Sequence, residues 1–147
     1  MKEIKPRSEC PLSYTLDYFG DKWSMLILRD IMLFGKSTYG EFLASKEKIA
    51  TNILADRLSM LEGNGFLTKH VAADKKSKFV YHLTKKGIDL VPVLVEIGLW
   101  GSLYNPPGLD QPLIEQLQRD KAGTISRIQE RLMAKLNEVQ HASNEKE

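Results

Sequence analysis

ATNILADRLSMLEGNGFLTKHVAADKKSKFVYHLTKKG, residues 50–87, changes its periodicity halfway along. In the first part Ala50, Leu54, Leu58 and Leu61 recur at the spacing of one helix face, with Asn52, Ala55, Asp56 and Ser59 on the opposite side. Gly63-Asn64-Gly65 offers left-handed backbone for the exit. Beyond it Phe79, Tyr81 and Leu83 alternate as a strand does, and a less regular strand is expected from about Leu67 to Ala72. Residues 66–87 hold six lysines against one acid, Asp74, in a chain whose formal net charge is only +2. A local basic patch on a near-neutral body is the electrostatic footprint of a polyanion partner.

Upstream, Pro11 suits the first position of a helix, because its missing N–H would be unpaired there. Leu12, Leu16 and Phe19 follow at helical spacing, and Gly20 stops the run. Asp21 is placed to cap a second helix with an apolar stripe of Trp23, Leu26, Ile27, Ile31 and Phe34, ended by Gly35. Thr38 and Glu41 have the spacing of a capping box, opening a short helix with Tyr39, Phe42 and Leu43 inward. A short helix, a tight turn and an amphipathic helix make a helix-turn-helix. A basic hairpin directly behind it makes the winged form. The fold class is therefore α+β, mainly α: a winged helix-turn-helix with flanking N- and C-terminal helices.

Downstream, KKGIDLVPVLVEIGLWG is apolar on nearly every side. A helix without a polar face needs cover all round, which implies a partner subunit. Pro92 marks a kink or the start of a new helix. YNPPGLDQP reads as a linker. From about Leu113 to Gln140 a single amphipathic helix is expected, weakened by Gly123, and the last residues, SNEKE, are expected to be disordered. Residues 1–104 thus form a DNA-binding and dimerisation domain, and 105–147 a linker and amphipathic helix packing on the dimer.

The 147 residues suit one domain with an appendage. No secretory segment is legible at the start, and no apolar run suggests a membrane helix, so a cytoplasmic protein without membrane contact is expected. A lone cysteine, Cys10, forms no intrachain bridge. His70, His82 and His141 lack metal-ligand spacing, and no catalytic motif is present, so neither metal, cofactor nor enzymatic activity is expected.

CPLSYTLDYFGDKWSMLILRDIMLFGKSTYGEFL, ILADRLSMLEGNGFL and YHLTKKGIDLVPVLVEIGLWG, in that order, resemble the HxlR-type winged-helix transcription regulators, a MarR-like group. The resemblance covers about residues 8–104. It implies a homodimer that binds a palindromic operator in double-stranded DNA, with N- and C-terminal helices at the dimer interface. It also implies that Cys10, near the start of the first helix, responds to electrophiles or oxidants. An inducer of that kind, or a small ligand held between dimer helices, stays open. The alternative reading is a winged-helix module that recruits a protein through its apolar helices.

The candidate contacts follow from the elements. Thr51, Asn52 and Ala55 occupy the outer face of the recognition helix; Asn52 matches adenine N6/N7 and Ala55 a thymine methyl. Asp56 shares that face and would repel a phosphate. Ala50 stands where a capping side chain would serve. Arg57, at the edge of the stripe, serves either a phosphate or a lock onto an acid such as Asp30 or Glu41. Ser37, Thr38 and Tyr39 offer N–H and hydroxyl groups to a phosphate at the start of the short helix. Lys75, Lys76 and Lys78 are the phosphate or minor-groove contacts of the wing.

Overall fold

The computed structural model describes residues 4–105 and 111–145. The chain divides into two compact units, Met1–His82 and Leu83–Glu147.

In the first unit α1 (Pro11–Phe19) starts on Pro11 and ends at Gly20. Its apolar residues are not a core face: Leu12 is 67 % exposed, and no residue of α1 is buried. The helix is held instead by aromatic edges, with Tyr18 and Phe19 each in T-shaped contact with Phe66 at 5.5 and 5.1 Å between ring centroids. Helix α2 (Ser24–Phe34) is capped by Asp21, whose carboxylate accepts from the N–H groups of Trp23 and Ser24 at 2.9 Å each and from the Ser24 hydroxyl at 2.7 Å. Gly35 ends it at φ 67°, a left-handed conformation that glycine adopts without strain. The buried side of α2 is turned from the expected stripe. Leu28 and Met32 are fully buried beside Ile27 and Ile31, whereas Phe34 is half exposed. The Arg29 guanidinium lies 5.2 Å from the centroid of the Phe34 ring, which accounts for an aromatic at that edge.

Helix α3 (Tyr39–Leu43) opens with the expected capping box, and α4 (Thr51–Gly63) follows the turn. Ala50 is the N-cap of α4 and no side chain caps it; Thr51 is already helical. Leu54, Leu58 and Leu61 are buried as the spacing predicts, joined by Met60. Gly65, at φ 82°, takes the chain out. The hairpin is β1 (Leu67–Val71) and β2 (Phe79–Leu83), an antiparallel pair. Its loop closes through the Ala72 N–H to the Lys78 carbonyl at 2.8 Å and the Lys78 N–H to the Lys75 carbonyl at 3.0 Å.

In the second unit, α5 (Lys85–Ile88) is one turn capped by Thr84, and α6 (Val91–Tyr104) begins with Pro92 in its first turn. Pro92 therefore starts a helix rather than kinking one. Taken together, Lys85–Tyr104 is long and apolar enough to cross a membrane by length and composition, with mean hydropathy 1.3, contrary to the expectation that no such run exists. It is broken between α5 and α6 and carries Lys85, Lys86, Asp89 and Glu96.

The single C-terminal helix of the sequence reading is two: α7 (Gln111–Arg119) and α8 (Lys121–Glu145). Asp120 divides them by accepting the Gly123 N–H at 3.0 Å. Gly123 thus sits in the first turn of α8 beside the Asp120 carboxylate, which a Cβ there would displace, rather than in the interior of one long helix. Helix α8 continues through Glu145, so residues 143–145 of the expected disordered end are helical. The expected linker lies mostly outside the described residues, as do the last two residues. Ile114, Leu117, Ile128 and Leu136 are buried where α7 and α8 pack together and α8 packs on α5 and α6.

Candidate nucleic-acid interface

The outer side of α4 is polar and open. Thr51, Asn52, Ala55, Asp56 and Ser59 are exposed, while the leucines opposite are buried. Three predicted base-reading residues, Thr51, Asn52 and Ala55, thus share a solvent-facing surface. The wing is in the same compact unit, and Lys75, Lys76 and Lys78 are exposed in and beside its loop.

The two parts are joined through the start of α3. Thr38 bridges Val80 of β2, and the Tyr81 N–H donates to the Ser37 carbonyl at 2.7 Å. The Tyr39 hydroxyl donates to the Thr51 carbonyl at 2.9 Å, tying α3 to the first turn of α4. Ser37, Thr38 and Tyr39 therefore lie together, but the N–H groups of Ser37 and Thr38 and the hydroxyls of Thr38 and Tyr39 are already engaged. One Glu41 carboxylate oxygen accepts from the N–H groups of Ser37 and Thr38, at 3.2 Å each, and from the Thr38 hydroxyl at 2.9 Å. Burial pushes the Glu41 carboxyl up, but these hydrogen bonds and the Lys78 charge outweigh it and hold it below its ordinary value. The acid on α3 occupies the place expected for a phosphate.

Arg57 has other acid partners than the two expected. Its guanidinium reaches neither Asp30 nor Glu41. It pairs with its neighbour Asp56 and approaches Asp21 at 3.6 Å, so the lock runs from α4 to the cap of α2. Burial raises the Asp21 carboxyl, yet the Ser24 hydroxyl, the Ser24 and Trp23 N–H groups and the Arg57 charge lower it on balance. Arg57 is thus held by two carboxylates on the edge of the α4 surface.

A network that the sequence reading missed fixes the turn between α3 and α4. Asp30, 2 % exposed, accepts from Arg29 at 2.8 Å and from the Ser45 hydroxyl, and Lys36 donates to Ser45 at 2.7 Å. Arg29 also makes a two-pronged pair with Glu47, at 2.9 Å on each prong. That pair lowers the Glu47 carboxyl to about 2, against a smaller opposing push from burial, and raises the guanidinium. The only sequence signal was the concentration of charge around the turn.

Cys10 is exposed, unbridged and the N-cap of α1; its N–H donates to the Ser8 hydroxyl at 3.2 Å. Arg7, three residues before it, donates to Asp17 at 2.6 Å. The exposed residues of α6 form a second kind of surface. Val93, Ile97, Trp100 and Tyr104 recur at steps of four, three and four, and all are exposed, with Trp100 at 68 %.

A family model described as HxlR-like helix-turn-helix matches residues 18–108, spanning α2 through α6. This chain belongs to that family. Among its relatives, the HTH-type transcriptional regulator YybR of Bacillus subtilis (strain 168) is 33 % identical over 101 residues, which are 68 % of this chain and 80 % of YybR. The crystal structure of PA1607, a candidate transcription factor, matches with TM-score 0.61 at 42 % identity, over 71 % of this chain and 72 % of that one. The redox regulator HypR in its reduced form matches with TM-score 0.57 at 30 % identity, over 63 % and 91 % of the two chains. The protein is accordingly a transcriptional regulator with a winged helix-turn-helix DNA-binding fold, and its HxlR-like relatives are regulators, not enzymes. Helices α7 and α8 lie beyond the matched residues.

Proposed function

We propose that this HxlR-like protein is a cytoplasmic, homodimeric repressor that reads an inverted-repeat operator. Two copies of α4 enter successive major grooves about 34 Å apart. Thr51, Asn52 and Ala55 meet base edges, and Lys75, Lys76 and Lys78 meet the flanking phosphates, releasing condensed cations. Arg57 and the start of α3 set the pose of α4, and the N–H groups of Ser37 and Thr38 meet phosphate only where Glu41 yields them. The observation that carries this reading is that α4 has an open polar side and that the same compact unit carries an exposed lysine loop. The apolar seam of α6 and the exposed Leu12 and Leu16 of α1 support pairing of two chains through residues 1–104, with residues 105–147 packing on that dimer.

Cys10 gives the dimer its sensitivity to oxidants or electrophiles. Its exposure supports this, as do the relatives: HypR is known in reduced and oxidised forms, and YodB of B. subtilis in reduced and diamide-treated forms. A small ligand between the dimer helices is the other signal this architecture admits.

The test is selection of bound fragments from random duplexes by the purified chain. A two-fold symmetric site about one helical turn between half-site centres is expected; recovery of no preferred duplex overturns the reading. Diamide treatment of the parent and of Cys10→Ser then isolates the thiol. If the variant loses operator binding as the parent does, Cys10 is not the switch.

A further inference from the structure

Asp56 is an acid in the middle of a surface that must approach a polyanion. Its side chain is 66 % exposed, and Arg57 grips one carboxylate oxygen through both Nε, at 3.0 Å, and a terminal nitrogen. Arg57 is in turn steadied by Asp21, itself fixed by three hydrogen bonds from Trp23 and Ser24. Asp21, Asn52, Asp56 and Arg57 line one shallow depression with Trp23 and Ile53. Two carboxylates and one guanidinium leave this depression with net negative charge. A freely rotating acid would turn away from DNA, whereas this one is oriented by a partner anchored outside α4.

We infer that Asp56 is a specificity-determining residue of the recognition helix, and that its carboxylate selects cytosine at one position of each half-site. The inference rests on the DNA-binding reading and sharpens it. The chemistry follows from what each base offers in the major groove. Guanine presents two acceptors and thymine an acceptor and a methyl, which repel or fail to satisfy a carboxylate. Adenine pairs its N6 donor with the N7 acceptor, so a carboxylate gains one contact and suffers one repulsion. Cytosine offers the N4 donor alone. The same charge keeps α4 from settling against a phosphate, so Asp56 weakens non-specific binding while favouring one base.

The experiment repeats the random-duplex selection with the full chain, Asp56→Asn and Asp56→Ala. Both substitutions are at an exposed position, and their melting temperatures serve as the folding control. The parent is expected to select a cytosine in each half-site, with discrimination of roughly tenfold at that base pair. Asp56→Asn shifts the preference to adenine, whose N6 and N7 match an amide. Asp56→Ala flattens the position and binds unrelated duplex severalfold more tightly. If both variants keep the parental base there, the inference is overturned while DNA binding stands. If the parent selects no duplex, both readings fall together.

Discussion

Helices α4 and α6 are nearly the same length, 13 and 14 residues, yet they meet solvent in opposite ways. Helix α4 buries its leucines and turns Asn52, Ala55 and Asp56 outward. Helix α6 buries Val91, Leu94 and Val95 and leaves Ile97, Trp100 and Tyr104 outward. One outer side is polar. The other is apolar, of a kind that soluble monomers rarely leave uncovered. Under the proposed function the first side reads DNA and the second pairs two chains, and each role can be tested by substitution.

The largest effect is expected where α4 is buried. Leu54→Ala removes a fully buried side chain and should destabilise the fold by about 3 kcal/mol, measured by urea denaturation. Next is the outer side of α6. Trp100→Ala should weaken self-association by about 2 kcal/mol, measured by sedimentation equilibrium, with little change in secondary structure by circular dichroism. An unaltered dimer would show that the α6 stripe is not the seam. Third, replacing Lys75, Lys76 and Lys78 by Gln should lower DNA affinity across all sequences. The slope of log affinity against log salt should fall by about one unit for each lysine that meets a phosphate. The smallest effect belongs to the turn that positions α4. The folded-state carboxyl of Glu47 titrates at about 2, below its ordinary 4.5, so its stabilisation is complete above about 4.5 and is lost as pH falls toward 2. The Glu47 side chain is 39 % exposed, so solvent screening limits this to under about 1 kcal/mol. Glu47→Gln should therefore be less stable than the parent at neutral pH, and the gap should close through that window.

Much of the α4 side of the contrast was legible in the sequence, because a leucine stripe with polar residues opposite has one simple solution. The capping box at Thr38 and Glu41 and the strand of Phe79, Tyr81 and Leu83 were legible for the same reason: each is a local pattern. The misses were relations between segments. Periodicity placed Phe34 on the inner face of α2 and missed Leu28 and Met32, because the packing direction of a largely apolar helix depends on its neighbours. Arg57 was expected to meet either a phosphate or an acid such as Asp30 or Glu41, while the acids the fold supplies are Asp21 and Asp56. At the candidate interface, spacing identified the exposed face of α4 and the wing lysines. The capping box already implied that Glu41 takes the Thr38 N–H; it did not reveal that the same oxygen also accepts from the Ser37 N–H, because that contact depends on how the chain enters α3. Gly123 read as a flaw because its partner, Asp120, had been placed inside the same helix.

The closed base of the wing loop has a practical consequence. Ala72 and Lys78 are joined across the hairpin by a backbone hydrogen bond, so the residues between them leave and re-enter the sheet at one fixed gate. That makes 73–77 an exchangeable cassette: loops of other lengths and charges can be grafted between the same two posts. Regulators with altered reach along DNA can then be built without redesigning the body that carries the loop.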